Sequence, residues 1–429
     1  MSIATQDAGV PSEKELAVEV DAPELTWRSG LAVAGAALSY FLSVGFLNAY
    51  GVFQYLRDKS NFQISWLGSF GTFAIFAFAP AAGILADRIG PQLPIAAGSV
   101  ALVLAAFMVS LCTKYYQFFL AQAVLMGMGM SFIAIPASGM VPRYFVRHRG
   151  VATGISVAGS SLGGVLWPIA FDRMLHRDGI GFPWAMRIAG FVMIPLCAFC
   201  VLTVRPPVVV PKPVAGERVE EGGVQEAGGE PEEKKKDLRA LRQPPFLLLC
   251  AGLFVGIFGF AIPLFYTSVY AVHIGLSASM AFYLVSILNG ASLFGRILPG
   301  IVADRFGRFN MLALSMFAAS LVVFCWTAAT SAAGLVVWAV AFGFSSGALL
   351  SLQLACATTL VDASQSTTVI GAVMGSTSLA MLFATPIAGE LIKHGYIAPA
   401  AFGGATLFVG ACLITAARLC LSRDWTARI

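Results

Sequence analysis

The chain is a succession of long apolar runs, about a dozen of them, each close to the length that a helix needs to cross a bilayer. Hydrophobic residues make up 58% of the sequence and charged residues 11%, whereas a soluble domain has about 25% charged residues. A membrane-spanning β-barrel would instead show short segments of alternating polarity, and these runs are continuous. The sequence therefore predicts an all-α membrane protein.

The runs fall into two sets of six, separated by a polar stretch. Residues 205–245 are rich in Pro, Gly, Glu and Lys, and this composition predicts a flexible cytoplasmic linker because it cannot bury a core. We expect six-helix halves at 27–204 and 246–421, a disordered tail at 1–26 and a short tail at 422–429. The twelve predicted spans are residues 31–55, 66–85, 93–111, 118–141, 150–171, 184–204, 246–272, 280–302, 310–329, 334–354, 369–391 and 398–419.

Positive charge is distributed unevenly between the two sides of these spans. If the N-terminus is cytoplasmic, the cytoplasmic loops, linker and tails hold 19 Lys and Arg residues and the opposite side holds 7, with Arg296 left inside the membrane. Cytoplasmic loops of membrane proteins carry an excess of these residues. We therefore predict that both termini are cytoplasmic. No organelle signal is visible, so the plasma membrane is the expected location.

Two matching motifs indicate that the halves are related by duplication. The sequence GILADRIG at Gly83–Gly90 returns as GIVADRFG at Gly300–Gly307, 217 positions later. Two further matches follow in order, although their offsets differ slightly. GVATG at residues 150–154 corresponds to GAVMG at 371–375, and WPI at 167–169 corresponds to TPI at 385–387. Ordered matches in equivalent spans predict two pseudo-symmetric halves.

The repeated G-x-x-A-D-R-x-G motif resembles the signature loop of the major facilitator superfamily, over about residues 27–422 without the linker. In that family the loop is a cytoplasmic latch between conformations, with glycines for close helix approach and aspartates that face a helix start. The second copy continues with Arg308, but the first has Pro91 and Gln92, which predicts a weaker latch there. The resemblance implies a latch role for Gly83, Asp87, Arg88, Gly90, Gly300, Asp304, Arg305, Gly307 and Arg308.

Finer features resemble the monocarboxylate-transporter branch of that superfamily, particularly its fungal members. RGVATGISVAGSSLGG at residues 149–164 is similar to the fifth-span signature of the branch, and GFLNAYGVFQ at 45–54 is similar to its first span. The segment before the first span, DAPELTW at 21–27, departs from the usual Asp-Gly-Gly-x-x-x-Trp. The resemblance implies transport of a monocarboxylate or a related small organic anion.

Arg296 is the candidate substrate contact, because it is a lone arginine within the eighth span. Placing an arginine in the membrane costs about 2.5–3.5 kcal/mol on insertion scales, so something must compensate its charge. A guanidinium matches a carboxylate through two parallel hydrogen bonds. Asn289 and Ser292 share its helical face. Two structural alternatives stay open: Arg296 could extend to the lipid surface, or it could brace the latch through Asp304.

Two positions depart from the pattern of carboxylate transporters. Ser292 stands where the branch often has an aspartate, and Asn48 stands where some members have a first-span lysine. Coupling to a co-transported proton is therefore left open. Asn48 and Tyr266 are further substrate-contact candidates, because the first and seventh spans line the central path in this superfamily. For the remaining polar residues an interhelical hydrogen bond is the simpler interpretation: Tyr50, Gln54, Gln122, Tyr270 and Gln353.

Other classes of protein are disfavoured. No glycine is followed by a lysine, so there is no phosphate-binding P-loop and ATP-driven transport is excluded. The four histidines lie in separate loops, so neither a metal site nor another cofactor is expected. No G-x-S-x-G nucleophile elbow occurs in a suitable context, so an enzyme is not expected. The formal charge of +5 lies in loops and tails, which indicates membrane orientation rather than nucleic-acid binding.

The sequence as a whole predicts a secondary active transporter in the lipid bilayer that works by alternating access between its halves. A monocarboxylate or related organic anion is the leading small-molecule substrate. The alternatives are export of a fungal secondary metabolite and import of a neutral nutrient or vitamin. A nutrient sensor that does not transport is less favoured, because such sensors usually carry long cytoplasmic signalling tails.

Overall fold

A computed structural model describes residues 24–47, 61–207 and 241–424. Within these ranges the chain forms helices joined by short turns, without a strand. The helices are α1 Trp27–Tyr40, α2 Trp66–Ile89, α3 Gln92–Leu111, α4 Tyr115–Tyr144, α5 Arg149–Leu175, α6 Phe182–Thr203, α7 Pro244–His273, α8 Ala278–Phe306, α9 Arg308–Phe324, α10 Ala332–Thr359, α11 Ser366–Ile392 and α12 Ile397–Leu421.

Most of these helices are long and apolar enough to cross a membrane. Ten of them in the described ranges meet that requirement, namely α2 to α8 and α10 to α12. Helix α9 is apolar but shorter, with 17 residues, and α1 has 14 residues. The prediction of an all-α membrane protein is confirmed, and the total of twelve spans stays a prediction.

The predicted latch loops are mostly helical. Helices α2 and α8 run through both copies of the motif and end at Ile89 and Phe306, so the eighth span does not stop at residue 302 as predicted. The chain then reverses at Gly90 and Gly307, which have φ values of +90° and +95°. Glycine adopts this left-handed region without steric cost. We call the end of the bundle that carries Gly90 and Gly307 the latch end.

The two sets of helices meet along two junctions, α5 against α8 and α2 against α11. One apolar core cluster is built from α1 to α6 alone. The other is built from α7 to α12 and reaches across to a few side chains of the first set, including Tyr40 and Val157. The junctions are therefore the places where groups of both sets can act on one ligand.

Glycines allow the backbones to approach closely at both junctions. A Cβ atom on Gly154 of α5 would overlap the carbonyl oxygen of Arg296 in α8, and one on Gly371 of α11 would overlap the carbonyl oxygen of Ala79 in α2. Without a hydrophobic driving force in lipid, such close contact between small residues is a main source of helix association. Neither glycine can carry a side chain unless its junction opens.

A side chain at Gly154 should therefore destabilise the protein. We expect Gly154→Ala to cost about 1–3 kcal/mol, the usual range for overpacking, because backbone rather than a flexible side chain lies opposite. Gly290→Ala in α8 is the matched control, since a Cβ atom there meets nothing within 4 Å. Thermal unfolding of the purified protein checks this, and equal melting temperatures for the two variants would contradict the close approach.

Candidate functional site

Arg296 lies well inside the membrane-spanning part of α8. The helix continues for ten residues beyond it to Phe306, which places Arg296 about 15 Å from that end at 1.5 Å per residue. Its relative exposure is 4%, so the side chain does not extend to the lipid surface. The first structural alternative, in which Arg296 extends to the lipid surface, is therefore not realised in this conformation.

The guanidinium of Arg296 is bonded across the α5–α8 junction. Its Nη1 donates to the backbone carbonyl of Val157 at 2.6 Å and to the hydroxyl of Ser160. Its Nε is also buried and has no hydrogen-bond acceptor among the described residues. The arginine therefore ties the two helices together through one side of its guanidinium.

The second structural alternative is not realised either, because the carboxylate of Asp304 is taken by other groups. It accepts the backbone N–H groups of Gly150 at 2.8 Å and Val151 at 3.0 Å, and the Arg308 side chain lies 3.4 Å away. In the described part of the chain no carboxylate forms an ion pair with Arg296. A buried charge without a counter-ion is costly, and a binding partner of opposite charge would offset that cost.

A tyrosine of α1 completes the surroundings of Arg296. Tyr40 is buried, and its side chain interacts with Ser138 of α4 and with the charge of Arg296. Helices α1, α4, α5 and α8 therefore each contribute one polar group to this site. We name Tyr40, Ser138, Ser160 and Arg296 the central polar cluster.

The other substrate-contact candidates lie outside this cluster. Asn289 donates to the carbonyl of Val285 in its own helix at 3.0 Å. Ser292 packs against Gly347 of α10, where a Cβ atom would come within 2.8 Å of the Ser292 hydroxyl. Both side chains are thus engaged within the C-terminal set of helices. Asn48, and with it Tyr50 and Gln54, lies outside the described residues.

Tyr266 lies at the other junction rather than beside Arg296. Its hydroxyl donates to the backbone carbonyl of Thr385 in α11 at 2.9 Å. The side chain of Thr385 in turn forms a hydrogen bond with Ser69 of α2 across the α2–α11 junction. Of the remaining polar residues, Gln353 bonds within its own helix to Leu350 at 3.3 Å. Of the predicted contacts, Arg296 therefore lies at the α5–α8 junction and Tyr266 lies beside the α2–α11 junction.

Sequence reasoning missed the α5 side of the cluster, although a signal was available. The 217-residue offset of the latch motifs pairs Ser160 with Thr377, and each hydroxyl bonds to the carbonyl three residues earlier, at 2.9 and 2.8 Å. The same offset pairs Gly154 with Gly371, whose close contacts correspond. The pairing of GVATG with GAVMG at an offset of 221 is therefore wrong by about one helical turn. The contact that corresponds to that of Gly371 is made by Gly154 and not by Gly150.

The two junctions differ at one decisive position. The 217-residue offset pairs Arg296 with Ala79, so the α2–α11 junction has a small apolar side chain where the α5–α8 junction has a charge. Both junctions form the same close backbone approach. The fold can therefore build this junction without an arginine, and the arginine is an addition to the shared architecture.

At the latch end, each motif aspartate binds the start of a helix in the opposite set. Asp87 accepts the backbone N–H of Thr368 at 2.7 Å, near the beginning of α11, as Asp304 does at the beginning of α5. A carboxylate is favourable there because helix starts carry unpaired N–H groups and partial positive charge. Arg88 and Arg305 are exposed.

The first latch motif has an arginine partner, although its own sequence lacks one at the position that corresponds to Arg308. Arg143 of α4 donates to Asp87 at 2.5 Å and to the carbonyl of Ser364 at 2.9 Å. It therefore stands in for the arginine that follows Gly307 in the second copy. The expectation of a weaker first latch overlooked this partner, because Arg143 is 56 positions away along the chain.

The segment before α1 is anchored to the loop between α4 and α5. Glu24 accepts the backbone N–H groups of Val146 at 2.8 Å and Arg147 at 2.5 Å, and its second oxygen lies 2.5 Å from His148 Nδ1. Burial raises the pKa of Glu24, but the hydrogen bonds from Arg147, His148 and Val146 outweigh it, so this pKa lies below its ordinary value. The carbonyl of Val146 accepts Arg308 at 3.1 Å, which connects the anchor to the second latch.

A profile of the Major Facilitator Superfamily matches residues 31–385, most of the chain. The chain belongs to the major facilitator superfamily. It is thus a multi-pass membrane transporter of a family that is not a class of enzymes. The predicted superfamily is confirmed, and the monocarboxylate-transporter branch stays a prediction.

Relatives of this superfamily member include proteins named for efflux. An MFS-type transporter of Aspergillus fumigatus is 42% identical over 414 residues, or 94% of this chain and 95% of that protein. The agnestins efflux protein of Paecilomyces divaricatus is 43% identical over 406 residues, covering 92% and 88%. The aspyridones efflux protein of Emericella nidulans is 34% identical over 401 residues, covering 91% and 78%.

Neutralising a latch aspartate should open the latch end. We expect Asp304→Asn to weaken the closed state by about 1–2 kcal/mol, because a neutral amide binds the start of α5 less strongly than a carboxylate. Spin labels at Val146 and Phe306, both exposed, would report a larger fraction of long distances. Glu390→Gln is the control, since Glu390 pairs with Lys393 at 2.6 Å elsewhere on α11. An unchanged distance distribution in Asp304→Asn would argue against the latch.

Removing the Glu24 charge should loosen the α4–α5 loop. We expect Glu24→Gln to accelerate hydrogen exchange at the amides of Val146 and Arg147, and Asp178→Asn, in an exposed pair, to leave them unchanged. Because the folded pKa of Glu24 lies below its ordinary value, its contribution is complete above about pH 4.3 and disappears as the pH falls through the lowered pKa. Protection that is equal in Glu24→Gln and the wild-type protein at neutral pH would rule out the anchor.

Proposed function

We propose that this transporter exports a small organic metabolite by alternating access, and that Arg296 contacts a negatively charged group of the substrate. The observation that carries the substrate contact is a buried guanidinium at a junction between the two helix sets, whose Nε has no acceptor among the described residues. The names of the agnestins and aspyridones efflux proteins support export. They favour the metabolite-export alternative over the monocarboxylate interpretation.

In an alternating-access cycle, the two helix sets would move relative to one another at the two junctions. In this conformation the latch end is held by Asp87 on α11 and Asp304 on α5. A substrate entering from the latch end requires both carboxylates to leave these helix starts, after which the halves rock about a site between them. With the latch end on the cytoplasmic side, as the distribution of Lys and Arg predicts, this cycle moves substrate outward across the plasma membrane.

The assignment of the remaining site residues follows from where their contacts lie. Arg296 is the proposed charge contact, and Asn289 and Ser292 are peripheral because they are engaged with their own set of helices. Tyr266 belongs to the α2–α11 side of the path. Asn48 stays a prediction on the first span. A co-transported proton has no carboxylate beside Arg296 among the described residues to carry it, so coupling would need another group.

Import of a monocarboxylate is the second candidate, because the same arginine would bind it. In resemblance to the monocarboxylate-transporter branch, Arg296 matches the arginine of the eighth span, and residues 149–164 in α5 are similar to the fifth-span signature. The direction of net flux separates the two candidates. Everted and right-side-out vesicles are loaded with the same acid and its release is compared. For an exporter, release should be faster from right-side-out vesicles, because their lumen faces the cytoplasmic side of the transporter.

Replacing Arg296 should abolish the preference for acidic substrates. With a panel of organic acids in reconstituted vesicles, we expect Arg296→Ala to reduce transport at least about tenfold, and Arg296→Lys less, because an ammonium keeps the charge but not the planar fork. Arg173→Ala is the control, since it removes an equal charge from an exposed side chain. Undiminished acid transport by Arg296→Ala protein that is folded and inserted would overturn the proposed contact.

A further inference from the structure

In the described part of the chain, the guanidinium of Arg296 forms hydrogen bonds through Nη1 alone. Nη1 is occupied by Val157 and Ser160 of α5, whereas Nε is buried without an acceptor among the described residues. We propose that Ser160 is a positioning residue that holds Nη1 and thereby presents the Nε edge of Arg296 to a carboxylate or similar planar oxyanion of the substrate. This inference rests on the proposed function.

Because a guanidinium is planar and rigid, fixing one of its edges also fixes the orientation of the other. Its five N–H donors lie in a single plane, so anchoring Nη1 orients the Nε–Nη2 edge as well. That edge offers two parallel N–H groups, the arrangement that binds both oxygens of a carboxylate. An arginine without such an anchor would lose rotational freedom upon binding, and its affinity for acids would fall accordingly.

The hydroxyl of Ser160 is suited to this task. It donates to the carbonyl of Val157 at 2.9 Å, and this bond leaves its lone pairs as acceptors for Nη1. The side chain is buried, and so is that of Arg296, so water does not compete for the contact. Loss of this hydroxyl would leave Nη1 with the Val157 carbonyl alone and would free the plane of the guanidinium to turn.

The internal duplication separates this role from a structural one. Thr377 is the counterpart of Ser160 on α11 and makes the same bond to its own helix, to Met374 at 2.8 Å. Opposite it, Ala79 replaces Arg296. If the hydroxyl only supported its helix, its removal would have the same effect at both junctions. Removal of a positioning hydroxyl would lower the preference for acids only at the α5–α8 junction, which holds the arginine.

The test is a comparison of affinity for acids with affinity for their amides. Protein in nanodiscs is titrated with benzoate, salicylate and 1-naphthoate, each against its neutral carboxamide, and apparent dissociation constants are taken from thermal stabilisation. We expect Ser160→Ala to lower the preference for acid over amide about tenfold, the usual worth of a hydrogen bond to a charged group. Ser160→Thr keeps the hydroxyl and should restore the preference. Thr377→Ala should leave it unchanged.

The outcomes separate this inference from the proposed function. Equal acid preference in Ser160→Ala and Thr377→Ala would overturn the positioning role, even if both variants transport. Wild-type protein that binds none of the acids more tightly than their amides would overturn the assignment of the Nε edge of Arg296 as an anion-binding edge. Acid preference that falls in Ser160→Ala, combined with no flux of any acid through wild-type vesicles, would support the binding edge and count against the transport proposal.

Discussion

The structure depends on how closely helices from the two sets approach one another. In lipid, helices gain nothing from burying apolar surface, and small residues that bring backbones together must hold them instead. Gly154 beneath Arg296 and Gly371 beneath Ala79 provide this contact at the two junctions. The same proximity sets Asp87 and Asp304 on helix starts of the opposite set. Packing, latching and the position of the arginine all follow from one geometric condition.

The duplicated architecture separates the features that both junctions share from the one that only the α5–α8 junction has. Glycine contacts, aspartate caps and the hydroxyls of Ser160 and Thr377 occur at both junctions. Arg296 occurs at one, where its counterpart is Ala79. The proposed substrate contact rests on this cation, which breaks an otherwise shared pattern and lies buried without a carboxylate among the described residues.

Local patterns predicted much of the fold but only part of the site. The apolar runs and the glycine-aspartate motifs depend on neighbouring residues, so the helices and the sharp reversals at Gly90 and Gly307 could be anticipated. Helical periodicity also placed Asn289 and Ser292 beside Arg296. It could not show that α10 covers Ser292 through Gly347, since that depends on a contact between separate helices. The pairing of Arg143 with Asp87 was missed for the same reason.

The sequence by itself determined that this chain is a helical membrane protein of two related halves, because hydropathy and repeated motifs are properties of short stretches. It also singled out Arg296, since a charge within an apolar run is costly wherever the helix packs. Only the tertiary structure decided that α5 holds Nη1 of the guanidinium, while Nε has no acceptor among the described residues. Ser160 lies 136 positions from Arg296, and the register between α5 and α8 that joins them is set by glycine contacts that no local pattern encodes.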